Sequence, residues 1–218
     1  MLEYADLTEC LDDVRDTGLG VARNILIPTF THDLAAELLK GGYEPVDEVT
    51  GKVHQRMARV EYRGVPWRLP SLHVLGLLTR PLIQSHFDRF PSLAHWEPME
   101  TVVQKYGRHD GIQAHRDFKR HPYAIVIFNI MGSCDFEVLE SRDGPVTKLV
   151  RPHPGDLIVL RAPGFSGEVT EQDRPFHRVG GNTSSDPCRI SVAFRHDLEP
   201  NNPRRQTYMR GTPQRQSH

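Results

Sequence analysis

The sequence predicts a mainly β (α+β) fold, a double-stranded β-helix of the cupin-like jelly-roll type, braced by N-terminal helices. Three observations predict it. From Glu100 onward, eight short strand-like runs lie near 100–106, 112–117, 123–131, 134–140, 146–151, 156–161, 174–180 and 188–196, separated by Gly, Pro and Asp turns. Before that point, several apolar stretches recur at helical spacing instead. No internal repeat or heptad competes with this reading.

Taken in order, Leu7 to Val14 reads as a short amphipathic helix with Asp6 and Thr8 available as caps. Val21 to Ile27 reads as a strand. Thr31 opens a helix that runs to Lys40 and is stopped by Gly41-Gly42. Val53 to Arg63 alternates by two, as a hairpin arm with Arg63-Gly64-Val65-Pro66 as its turn. Leu72, Leu75, Leu78, Leu82, Ile83, Phe87 and Phe90 form a helical stripe that should brace the sheet, kinked or split at Pro81. Among the later strands, Tyr123–Met131 and Leu157–Leu160 are the most apolar and should be central. Residues 1–99 are thus expected to form a helical and lid extension packed on a core of 100–197, together one domain. The tail, 198–218, is expected to be disordered, because four arginines and three prolines after Leu198 accompany little that is apolar.

A chain of 218 residues can bury a sizeable single core, and 38% hydrophobic with 25% charged residues is ordinary for a soluble protein. The net charge of −1 conceals an asymmetry. Residues 1–50 carry three basic and eleven acidic side chains, and residues 51–120 carry twelve basic and six acidic, which points to an anionic ligand near the middle of the chain. Cys10, Cys134 and Cys188 are widely spaced and odd in number, as free thiols in a reducing compartment would be. The acidic start lacks an apolar leader, and the longest apolar runs are strand-sized, so a cytoplasmic protein without a membrane partner is expected. Oligomeric state is not legible.

The chemistry concentrates in His115-Arg116-Asp117, His177 and the run Arg189 to Arg195. Two histidines and one carboxylate from separate strands make a facial triad for ferrous iron that leaves coordination positions open. In an extended strand, positions i and i+2 share a face, so His115 and Asp117 are expected to grip one ion while Arg116 points away. On the last strand, 189, 191, 193 and 195 share a face, and a guanidinium there matches the carboxylate of a dicarboxylate co-substrate.

With Gln104-Lys105-Tyr106 and Gly155-Asp156-Leu157, these segments resemble the AlkB-like family of iron(II)/2-oxoglutarate dioxygenases, firmly over 104–117 and 155–195 and loosely from residue 60. The resemblance implies Fe(II), 2-oxoglutarate and O2 as cofactors, with His115, Asp117 and His177 on the metal. It implies Arg189 on the distal carboxylate of 2-oxoglutarate, Arg195 near the metal-proximal end, and a hydrogen bond from Tyr106, which stands nine residues before His115. Gln104 and Ser191 stand where the family often has asparagine; both can still hydrogen-bond a co-substrate. Lys119 stands where DNA-repair members commonly carry an acid, and a cation there disfavours a positively charged methylated base. Pro66-Trp67 loosely resembles the lid region, and Trp67 could stack on a planar substrate or plug the helix–sheet seam; Trp67, Arg116 and Lys119 are the candidate substrate residues.

The implied activity is hydroxylation of a C–H bond, including oxidative N-dealkylation, on a modified nucleobase or nucleic acid, with release of succinate and CO2. Hydroxylation of an amino acid or biosynthetic metabolite is the second reading; Lys119 and the acidic N-terminal region favour it. A non-catalytic metal-binding jelly roll and a zinc hydrolase remain as alternatives, but neither accounts for the paired arginines.

Overall fold

The computed structural model describes residues 6–167 and 174–199; most of the expected tail therefore lies outside the described residues. Helix α1 (Thr8–Thr17) buries Cys10, Leu11 and Val14. The Asp6 carboxylate accepts from the Thr8 N–H at 2.8 Å, so Asp6 supplies the cap. Strand β1 (Leu19–Ala22) starts earlier and stops sooner than expected, because Asn24 turns the chain with φ +53°. There the buried Asp156 accepts from the Asn24 N–H at 3.0 Å and from Arg23 at 2.6 Å. Helix α2 (Pro28–Leu39) begins a turn before Thr31, since Pro28 is pre-set for the first helical position.

Strand β2 (Glu44–Thr50) was not foreseen. It forms a tight hairpin with β3 (Val53–Arg63) through Gly51, whose φ of +62° suits glycine. The expected turn after Arg63 exists, but it leads into helix α3 (Pro70–Gln84) rather than a pairing strand. That helix neither splits nor reaches Phe90. Pro81 lies in its last turn, where the chain passes into turns and a 3-10 segment (Pro91–His95).

The remaining strands are β4 (Glu100–Tyr106), β5 (Gly111–His115), β6 (Ala124–Met131), β7 (Phe136–Leu139), β8 (Val146–Val150), β9 (Leu157–Arg161), β10 (Phe176–Val179) and β11 (Arg189–Arg195). They pair antiparallel in the order β1-β9-β6-β11-β4-β3-β5-β10-β7-β8, with β2 beside β3, as a nearly closed jelly roll. The apolar strands β6 and β9 are neighbours inside this order, with β9 one place from the edge.

Strand alternation divides the apolar residues into two cores. Val103, Val126, Phe128, Ile190, Val192 and Phe194 point outward and are covered by α1, α2, α3 and Trp96. The buried Trp96 indole donates to the Ala124 carbonyl at 2.8 Å, so its polar atom is satisfied. Val102, Tyr106, Ile125, Ile127, Ile158 and Ala193 point inward and meet Met57, Ile112, Phe136, Val138 and Val179 from the opposite wall. Only the inward face also holds buried polar groups from β11, namely Arg189 and Ser191. Among the described residues, no helix is long and apolar enough to cross a membrane.

Candidate metal and co-substrate site

The last residue of β5, His115, is the direct cross-strand partner of His177 on β10. Their rings lie 4.2 Å apart, and His177 also stacks on Phe136 at 5.8 Å, which fixes its plane. Asp117 does not lie on the strand. β5 ends at His115, and the carboxylate arrives from the following loop, so shared strand alternation does not place it. The Arg174 guanidinium donates to the Asp117 carbonyl at 2.9 Å and helps hold that loop. Asp117 Oδ2 nevertheless comes within 3.4 Å of His177 Nε2, and one ligand atom from each of the three residues lies within 4.8 Å of the others.

Both imidazoles are set up as ligands. His115 Nδ1 lies 2.8 Å from the Gln113 carbonyl and His177 Nδ1 lies 3.2 Å from the Pro175 carbonyl. A carbonyl only accepts, so each Nδ1 carries the proton and each Nε2 presents a lone pair. Burial, aided by nearby His177, pushes the His115 pKa down to about 4. Burial alone would raise Asp117, but His177, Arg195 and His115 hold it at about 2. The group therefore stands at neutral pH as a carboxylate beside a neutral His115.

Arg189 is 1% exposed, on the inward face of β11. Its Nε donates to Asn129 Oδ1 at 2.8 Å, and its guanidinium lies 5.1 Å from the ring of Tyr106, its cross-strand partner. Asn129 is itself fixed: its Nδ2 donates to the Gly132 carbonyl at 2.7 Å, in a turn where φ of +69° suits glycine. Among the described residues, no carboxylate is ion-paired with Arg189. A buried cation without a counter-charge is costly, so this fork is suited to an incoming carboxylate. Tyr106 is fully buried, and burial raises its hydroxyl pKa, so it remains a neutral donor. Ser191 is buried opposite both Gln104 and Asn129, and Gln104 Nε2 rests 3.4 Å from Met57 Sδ.

Arg195, at the far end of β11, lies 3.6 Å from Asp117 and 3.6 Å from Glu100, and so links the triad to a second group. There Glu100, His121 and Asp197 are all buried. His121 Nε2 lies 3.0 Å from Glu100 Oε2, while Arg120 Nε is 3.5 Å from Asp197. Sequence reasoning missed this group and Asn129. The signal for Asn129 was available, as the one polar residue in the run Ala124 to Met131.

Two expected substrate residues are exposed. Trp67 is 71% exposed, in the loop before α3, and its ring contact is the Arg68 guanidinium at 5.0 Å. An exposed aromatic there plugs no seam between helix and sheet. Lys119 is also exposed. Arg116, in the loop after β5, lies 4.1 Å over the Phe176 ring. A cleft of about 390 Å³ between α2 and β6 is lined by none of the candidate site residues.

No family model matches the chain, and no curated protein matches it. Solved structures do share its fold. A Pseudomonas putida prolyl-4-hydroxylase superposes with a TM-score of 0.62 at 18% identity, over 87% of this chain and 99% of that one. OsALKBH1 gives 0.57 at 14% identity, over 82% and 98%. The non-heme α-ketoglutarate-dependent carbocyclase SnoK of nogalamycin biosynthesis gives 0.59 at 15%, over 89% and 86%. The double-stranded β-helix of such oxygenases is therefore the fold of this chain.

Proposed function

We propose that the chain is an iron(II)/2-oxoglutarate-dependent dioxygenase. One observation carries this: two imidazoles with free Nε2 lone pairs and a charged carboxylate converge within 4.8 Å, on the same barrel interior as a buried arginine without a carboxylate partner. The donor set fits ferrous iron, and the fork of Arg189 fits the distal carboxylate of 2-oxoglutarate. When bound, iron, 2-oxoglutarate and O2 supply oxidative decarboxylation to succinate and CO2, coupled to hydroxylation of a substrate C–H bond.

The chain's own part is orientation. His115, His177 and Asp117 hold the metal, and the Gln113 and Pro175 carbonyls keep the imidazole planes and tautomers fixed. Arg189, oriented by Asn129, would bind the far end of the co-substrate, with the Tyr106 hydroxyl as a second donor and Ser191 and Gln104 on the same wall. Arg195 keeps the Asp117 carboxylate charged and directed. The apolar lining of Val102, Ile127 and Ala193 excludes water from the deep end.

Within this class, an AlkB-like enzyme acting on a modified nucleobase is the reading we favour, in keeping with the residues Tyr106, His115, Asp117, His177, Arg189 and Arg195 at their spacings and with the likeness to OsALKBH1. Small-metabolite hydroxylation is favoured by one observation, the cation Lys119 two residues past Asp117, which repels a cationic base. The test is to load the protein anaerobically with Fe(II) and 2-oxoglutarate, admit O2, and measure succinate with nucleosides, methylated oligonucleotides and amino acids. Succinate that rises with a nucleobase substrate is the expected result. Absence of any iron-dependent succinate, coupled or uncoupled, would remove the assignment.

A further inference from the structure

Beside the triad, two guanidiniums share one aromatic ring. Arg116 lies 4.1 Å and Arg142 lies 5.5 Å from the centroid of Phe176. Arg116 sits between His115 and Asp117, and Phe176 directly precedes His177. Arg142 comes from the loop between β7 and β8, and one of its nitrogens donates to the Ala114 carbonyl at 2.6 Å. Four chain segments thus meet at this ring: the end of β5, the loop after it, the β7–β8 loop and the start of β10.

Among the described residues, neither guanidinium forms an ion pair, although most nearby arginines do: Arg178 is paired with Glu137, Arg151 with Asp135, and Arg195 with Glu100 and Asp117. Glu140 and Asp143 flank Arg142 in sequence, yet neither is ion-paired with it. The Nε of Arg116 is moreover buried without a hydrogen-bond partner, a costly state for a donor. Stacking on a ring occupies the face of a guanidinium and leaves its in-plane N–H groups for an oxyanion. Two such forks, both fully charged at any physiological pH, match a dianion better than a single carboxylate.

We propose that Arg116 and Arg142, stacked on Phe176, form a phosphate-binding subsite at the rim of the barrel that anchors a phosphate-bearing substrate. Its role as a substrate subsite rests on the oxygenase reading; its capacity to bind phosphate does not. The anchor lies one residue from two of the metal ligands, so the phosphate fixes which substrate carbon reaches the metal. A free nucleotide or phosphorylated metabolite would present a terminal phosphate; a polynucleotide would present a backbone diester.

The test is arginine-specific labelling of the full chain with phenylglyoxal, with the modified residues located by mass spectrometry. Inorganic phosphate and adenosine 5′-monophosphate should each slow labelling of Arg116 and Arg142 at least about fivefold. Adenosine, acetate and 2-oxoglutarate should leave both rates unchanged. A blunt oligonucleotide without terminal phosphates that protects equally well would also support the subsite and assign the phosphate to a polymer backbone. Equal labelling with and without every phosphate probe overturns the proposal. Titration calorimetry with adenosine 5′-monophosphate gives a second measurement: Arg142→Gln, in an exposed loop, should weaken binding about tenfold with unchanged circular dichroism, and unchanged affinity overturns the proposal. Protection without any 2-oxoglutarate turnover would support phosphate binding and overturn the oxygenase reading instead.

Discussion

Two groups of histidine and carboxylate lie side by side among the described residues, and they offer a metal different surroundings. His115, Asp117 and His177 stand at the mouth of the barrel; Glu100, His121 and Asp197 are sealed behind Arg195. Both bring ligand atoms within 4.8 Å of one another. They differ in which lone pairs are already engaged. The mouth group has two imidazole lone pairs, one carboxylate and a single guanidinium at 3.6 Å. The sealed group has two carboxylates and one imidazole, but Arg120 and Arg195 already supply two positive charges, at 3.5 and 3.6 Å. Arg195 is shared by the two groups, but the Arg120 Nε–H already donates to His121 Nε2 at 3.2 Å, so the imidazole lone pair is taken there, while at the mouth both Nε2 lone pairs are open. Proximity of ligating atoms is thus a weak criterion until the neighbouring cations and the route to solvent are included.

The largest effect that sharpens this contrast is on metal binding. Asp117→Ala should remove a direct ligand, lower Fe(II) or Mn(II) affinity beyond the roughly 10–100-fold that loss of an outer partner costs, and reduce turnover to background. Glu100→Gln should leave a stoichiometry of one metal per chain. Equilibrium dialysis with metal analysis reads both. Two ions per wild-type chain, falling to one in Glu100→Gln, would break the comparison.

The next effects concern the co-substrate end. Arg189→Met removes a buried charge-assisted fork worth roughly 1.5–3 kcal/mol, so the 2-oxoglutarate KM should rise about 10–150-fold. Asn129→Ala keeps that guanidinium but frees its Nε, and a rise of about tenfold is expected, with kcat largely restored at saturating co-substrate. Steady-state kinetics of succinate formation separates the two. An Asn129→Ala enzyme indistinguishable from wild type would show that Arg189 needs no side-chain orientation.

Much of the mouth group is legible in sequence because residue type carries it: His115-Arg116-Asp117, a later histidine and Arg189 to Arg195 are rare in combination. The route by which Asp117 arrives is not, since the end of β5 at His115 depends on pairing with β10 and β3 rather than on local propensity. The sealed group is invisible for the same kind of reason. Glu100 meets Arg195 only through the register of β4 against β11, and His121 comes from a loop. Strand β2 escapes because Glu44-Pro45-Val46-Asp47-Glu48 has no buried apolar face, and only pairing with β3 makes it a strand. The expected helix to Phe90 stops at Gln84, and the apolar stripe continues through turns closed by bonds such as Phe87 N–H to the Gln84 carbonyl, a switch that spacing alone does not reveal. Trp67 is legible only as an aromatic with two uses, stacking on a substrate or filling the helix–sheet seam, and its exposure speaks against the second.

The smallest predicted effect tests whether the sealed group is neutral at its imidazole. Burial, reinforced by Arg195, pushes the His121 pKa down to about 3, and its Nδ1 has no hydrogen-bond partner. A histidine depressed on folding destabilises as pH falls: the unfolded chain takes up a proton below about 6.5, and the folded one does not until near 3. Stability should therefore be fully present above about pH 6.5 and decline across the window between these values. From pH 6.5 to 5 this one group contributes a loss of about 2 kcal/mol. His115 adds a loss of the same sign, so wild type alone cannot apportion it. The difference between wild type and His121→Gln can. In urea unfolding of the metal-free protein, the variant should lose about 2 kcal/mol less over that interval. Parallel pH profiles for the two proteins would mean that His121 already carries its proton beside Glu100, and that the sealed group holds one positive charge more than the contrast with the mouth assumes.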